Sequence, residues 1–152
     1  MPSTNLAIPA SAAWLGALGL IPFVGLAIAL ALAAPDLQAA LSHALVAYGA
    51  TILSFLGGVH WGLGIARAAS GQRTGLAGRL TLSIVPSLAG WAALLTSPFA
   101  GLLVLAVAMA LMLQVDILTA RSGVAPAWYP RLRIPLSCAV ATTLLAAGFL
   151  LR

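Results

Sequence analysis

The sequence predicts an all-α integral membrane bundle of five transmembrane helices forming a single domain over residues 1–152, and three observations carry this. Hydrophobic residues make up 62% of the 152 and charged residues 6%, with a mean hydropathy of +1.13, whereas soluble domains carry about 25% charged residues. Apolar windows near the length that crosses a hydrocarbon core about 30 Å thick recur along the chain at 10–34, 44–66, 80–95, 99–118 and 134–151. The few charges fall mostly between these windows. Lipid satisfies no backbone polar group, so a spanning segment must be a helix or part of a closed barrel. Alternating ten-residue strands are absent, which selects helices.

In the first span, Pro22 lies near mid-membrane, where its missing N–H frees the carbonyl of Leu18. Ala31-Leu32-Ala33 imitates a small-residue cleavage site, but no basic side chain precedes the span. The apolar stretch also exceeds the about 7–15 residues of a signal core, so the span is expected to be retained. The third span repeats the mid-membrane proline with Pro86, which frees the carbonyl of Leu82. It is expected to begin before Arg79, whose side chain can snorkel to the head groups. Two prolines in similar registers are too little to establish an internal duplication.

Arginines set the orientation. All seven basic residues are arginine, with three in the stretch 67–79, three in 121–133 and none in 35–43 or 96–98. The positive-inside rule places both basic loops, and therefore the N-terminus, in the cytoplasm and the C-terminus in the periplasm, with Arg152 the one dissenting charge. The pI of about 11.3 is thus a record of topology. A nucleic-acid partner is not expected, because that requires arginines clustered on one water-facing surface.

The second span is the most informative. Ser54, Gly58 and Gly62 recur every four residues, the small-residue pattern that lets another backbone approach. Gly57, His60 and Gly64 form a neighbouring stripe by the 3.6-residue period. Small residues on two faces predict a helix packed on both sides at the centre of the bundle. His60 lies about six residues, or about 9 Å, inside the basic end of this span. Thr81, Gln114 and Ser137 fall near the same depth, with Asp116 about 3 Å closer to the basic loops. Ionisable groups inside a membrane cost about 2.5–3.5 kcal/mol at its centre. His60, Gln114, Asp116 and Thr81 are therefore the candidate ligand or proton site. The alternative is polar glue between helices, with Asp116 paired to Arg79, Arg121 or Arg133.

Trp128-Tyr129-Pro130-Arg131-Leu132-Arg133 precedes the fifth span. Aromatics and arginines at that level anchor a helix to lipid, and Trp128, Tyr129, Arg131 and Arg133 are equally suited to a protein partner. Trp14, Tyr48 and Trp91 read as belt or packing aromatics, and the lone Cys138 as a small packing residue. No phosphate-binding loop, HExxH, paired carboxylates or four-ligand Cys/His set is present, so neither catalytic residues nor a metal site is expected. No cofactor is expected; His43 and His60 lie toward opposite membrane faces and cannot share a haem iron, which leaves haem or quinone at His60 alone as a lesser alternative.

At Tyr48-Gly-Ala-Thr-Ile-Leu-Ser-Phe-Leu-Gly-Gly-Val-His-Trp-Gly62, with Gln114-Val-Asp116 and the Trp128–Arg133 segment in support, the chain resembles a family of small bacterial integral membrane proteins of unknown function related to mitochondrial transmembrane protein 69. The resemblance implies a multi-pass protein of the bacterial inner membrane and supplies no reaction, substrate or catalytic residue. Together with the packing stripes and minimal loops, it leads to the expectation of a non-catalytic accessory or assembly protein. Its partners would be the lipid bilayer and other membrane subunits, of a respiratory or photosynthetic complex by analogy, or a second copy of itself. The rival expectation is a small transporter or proton pathway through His60, Gln114 and Asp116.

Overall fold

Proline punctuates this chain at helix starts. In the computed structural model, which describes residues 6–152, Pro22, Pro35, Pro98 and Pro130 each fall in the first turn of a helix. There the missing N–H removes no intrahelical bond and the fixed φ suits the helix. The helices are α1 (Ala10–Leu18), α2 (Ile21–Leu32), α3 (Pro35–Ala69), α4 (Leu76–Leu94), α5 (Pro98–Arg121) and α6 (Tyr129–Leu150). Among the described residues there is no strand.

The first span is not one kinked helix. It divides at Gly19–Leu20 into α1 and α2, and Pro22 opens the second piece instead of bending the first. The hydroxyl of Tyr48 donates to the carbonyl of Gly19 at 3.0 Å, which ties the break to α3. Phe23 meets the Tyr48 ring edge-on at 4.8 Å. Tyr48 is thus a brace for this junction.

The stretch 35–43, expected as a loop, is the beginning of α3. Pro35 starts that helix and Asp36 lies in its first turn, where negative charge complements the helix dipole. At 35 residues α3 is about 52 Å long, well beyond the thickness of a hydrocarbon core. Similarly α6 begins at Tyr129, not at 134, which moves Arg131 and Arg133 from a loop into a helix. As expected, α4 begins before Arg79.

The two arginine-rich turns are closed in the same way. After α3 the N–H of Gly71 bonds to Ala68 O and that of Gln72 to Arg67 O; after α5 Gly123 bonds to Ala120 O and Val124 to Thr119 O. Both glycines have positive φ, 86° and 70°. These are Schellman closures, in which a left-handed residue satisfies the last carbonyls of the helix.

Taken together, α1–α2 count as one span, and with α3, α5 and α6 they make four segments long and apolar enough to cross a membrane. The remaining helix, α4, is 19 residues long and packs along α3. Residues 6–152 thus form an all-α membrane bundle of five membrane-scale elements. α3 touches α2, α4 and α5, while α6 touches α5, α2 and α1. The core runs through Phe23, Leu30, Leu45, Leu53, Leu102, Leu105, Met109 and Leu144, each buried.

The two small-residue stripes of α3 differ in what they meet. Gly57 faces the Ser83 carbonyl of α4 so closely that a Cβ would collide with it, and a Cβ on Gly64 would lie 3.3 Å from Leu80. The other stripe is open at its glycines: beyond the backbone of α3 itself, no atom among the described residues lies within 4 Å of where a Cβ on Gly58 or Gly62 would be, while Ser54 is half-buried. The expected packing on both sides is therefore supplied on one of these two stripes only. Cys138 is exposed on α6 and not a packing residue, and Trp14 and Trp91 are outward-facing at 71% and 61% exposure.

Candidate functional site

Three helices each carry a buried stripe, and at the arginine-rich end of the bundle each stripe turns polar. On α5 the spacing of Leu102, Leu105, Met109 and Met112 continues to Asp116, which has no exposed surface. On α6 the stripe Leu144, Val140, Ser137 and Arg133 is buried throughout. On α3 the stripe Leu53, Leu56, Gly57 leads to His60. The helical period therefore aims three polar side chains at one point.

They meet. Nε2 of His60 lies 2.8 Å from Oδ1 of Asp116, and Nε of Arg133 donates to Oδ2 at 2.8 Å. The Tyr129 hydroxyl, one helical turn before Arg133, also interacts with this carboxylate. A carboxylate removed from water is tolerated when paired and hydrogen-bonded. Asp116 is held from both sides, so α3, α5 and α6 are joined through one acid. Beyond the ion pair, Arg133 Nη2 and Ser137 Oγ, one turn apart on α6, are buried with no hydrogen-bond partner among the described residues.

Two members of the expected polar layer are not part of this cluster. Gln114 is exposed, because two residues along a helix from Asp116 is about 200° of rotation away from the core. Thr81 is exposed as well, while its neighbour two positions on, Ser83, is buried and bonds its hydroxyl to Leu80 O at 2.7 Å. Arg133, expected as a lipid or partner anchor or else as one of three arginines that could pair with Asp116, is the buried counter-ion. Trp128 and Tyr129 are half-buried and meet edge-on at 6.0 Å. Arg131 is exposed and reaches Leu6 O at 3.4 Å.

A cavity of about 620 Å³ lies between α3, α4 and α5. His60 forms part of its wall, Arg79, Thr119 and Ser122 lie toward the arginine-rich turns, and Leu53, Ala89 and Ala108 toward the middle of the bundle. Pro86 contributes to this wall, where its ring replaces a backbone N–H.

No solved structure matches the chain. Over 136 residues it is 35% identical to transmembrane protein 69 of Xenopus tropicalis, an alignment covering 85% of this chain and 50% of that protein. The chain thus spans about half the length of the curated relative it matches. The family model "Protein of unknown function (DUF3429)" matches residues 8–149. With a polar cluster inside a multi-pass helical bundle and a match along nearly its whole length, the chain belongs to this DUF3429 family.

Proposed function

We propose that the protein is a non-catalytic accessory or assembly subunit of the bacterial inner membrane, and that it receives a transmembrane helix of another subunit on the outer face of α3. The observation that carries this is the open Gly58–Gly62 face, continued by half-buried Ser54, which no neighbouring helix among the described residues closely covers at the glycines. Each glycine costs a helix about 0.8–1.0 kcal/mol relative to alanine, and Gly58 and Gly62 obtain no close packing among the described residues in return. The outward faces of α1, α2 and α4 present large side chains such as Leu15, Ile21, Leu32 and Leu88. The α3 face instead has a floor of small residues bordered by exposed Phe55 and Trp61. A shallow groove of that form suits close approach of another helix backbone.

The orientation that accompanies this reading puts both arginine-rich turns in the cytoplasm and the C-terminus in the periplasm. The test is the native mass of the protein extracted in mild detergent, compared with that of Gly58→Leu and Gly62→Leu. Wild type is expected in an assembly heavier than the 15.3 kDa chain, and each variant is expected as the free chain with unchanged helicity. A wild-type protein that is already monomeric, or variants that keep the assembly, would overturn the proposal.

A further inference from the structure

His60 is engaged on one side only. Its Nε2 meets a carboxylate that can only accept, and whose other oxygen is held by Arg133. In the neutral imidazole Nε2 therefore carries the proton and Nδ1 presents a bare lone pair. Nδ1 makes no hydrogen bond among the described residues, and the imidazole forms part of the cavity wall. The imidazole is thus a directional acceptor on a largely apolar wall, which also carries Arg79 and the hydroxyls of Ser83, Thr119 and Ser122.

That acceptor discriminates among ligands. A carboxylate or ketone head would place lone pair against lone pair. Protonating the imidazole for a ketone would add a net positive charge beside a pair that is already balanced, and a carboxylate, which would balance that charge, would first have to give up its hydration. A hydroxyl or phenol donates to Nδ1 with no change in charge. The rest of the wall sets the body of the ligand. A volume of about 620 Å³ lies within the range of small-molecule sites, about 300–1,000 Å³. Leu82, Val85 and Leu111 line the cavity and are also exposed on the outside of the bundle, so the space adjoins the lipid-facing surface between α4 and α5. A ligand entering there comes from the bilayer and not from water.

We infer that the cavity between α3, α4 and α5 binds an uncharged membrane lipophile with a hydroxyl-bearing head, either a hydroquinone or an isoprenoid alcohol, whose O–H donates to Nδ1 of His60. Its apolar body lies between Leu53, Leu82, Val85 and Ala89. This site is on the α4 side of α3 and does not depend on the open Gly58–Gly62 face.

The chain has two histidines, which makes the site directly observable. His43 lies 17 positions before His60 on the same helix, about 26 Å away, and serves as an internal reference. The protein labelled with ¹⁵N-histidine is placed in phosphatidylcholine nanodiscs and titrated with decylhydroquinone kept reduced, its dimethyl ether, farnesol and decanoate. Decylhydroquinone or farnesol is expected to move the Nδ1 resonance of His60 in the direction of a nitrogen that accepts a hydrogen bond, leaving His43 in place. Which of the two does so identifies the source of the hydroxyl. The dimethyl ether, of similar shape but with no donor, is expected to bind about tenfold more weakly and leave Nδ1 unmoved, as loss of one hydrogen bond implies. Ala89→Phe fills the cavity away from Asp116 and is expected to abolish the shift while the Nε2 resonance stays as in wild type. The inference fails if neither hydroxyl ligand moves His60, if decanoate alone does, or if Ala89→Phe leaves the response intact.

Discussion

Arg133 and Asp116 face each other across the α5–α6 hairpin, Nε to Oδ2 at 2.8 Å, with Asp116 wholly out of solvent. Breaking a buried pair by removing one partner leaves an uncompensated charge and costs about 3–5 kcal/mol. Asp116→Ala is therefore expected to destabilise the bundle by about that amount, measured by thermal or denaturant unfolding in detergent. The double variant Asp116→Ala/Arg133→Met removes both charges and should recover most of the loss. A double variant no more stable than Asp116→Ala would show that the pair is not what matters.

Two adjacent glycines on α3 should behave oppositely. A Cβ at Gly57 collides with the Ser83 carbonyl, whereas one at Gly58 meets open space. Gly57→Ala is expected to lower stability by about 1–3 kcal/mol through forced separation of α3 and α4. Gly58→Ala should be neutral or raise it by up to about 1 kcal/mol through helix propensity. Parallel unfolding curves of the two variants check this.

The brace between Tyr48 and Gly19 is one hydrogen bond that crosses from α3 to the break in the first span. Tyr48→Phe keeps the ring contact with Phe23 and removes the hydroxyl. A loss of about 1 kcal/mol is expected. Faster amide hydrogen exchange should be confined to residues around Gly19 and Leu20, and uniform acceleration across the chain would contradict it.

Orientation is open to a labelling experiment. In a Cys138→Ser background, single cysteines at Gln72 and Thr96, both exposed turn positions, are offered an impermeant maleimide from either side of the membrane. Gln72→Cys is expected to react from the cytoplasmic side and Thr96→Cys from the periplasmic side. The reverse pattern would invert the topology that the arginines imply.

Which parts of the molecule could be read in advance follows from which signals are local. Helix existence was readable because apolar length is a property of contiguous residues; Pro35 and Pro130 blurred two boundaries because a proline that looks like a loop residue is equally at home in a first turn. For the site, a residue's depth is legible from its position in a span, whereas its rotation about the helix axis requires the whole buried stripe. Asp116 continues the stripe of Leu105, Met109 and Met112, and that spacing alone separates it from Gln114. Arg133 lies on the stripe of Ser137 and Val140 in the same way, but treating it as a loop residue concealed that. The cavity depends on how far α4 stands from α5, which no single segment encodes.

The ion pair also bears on how the chain enters the membrane. Arg133 is made 17 residues after Asp116, so during synthesis α5 must wait for the first turns of α6 before its acid acquires its cation. His60, made earlier, offers one hydrogen bond to Oδ1 and leaves Oδ2 for Arg133. Integration of α5 is thus coupled to that of α6, and the two helices are best regarded as entering as one hairpin. Arg133 is also largely neutralised once that hairpin closes, which leaves Arg121 and Arg131 as the charges that hold this turn on its side of the bilayer.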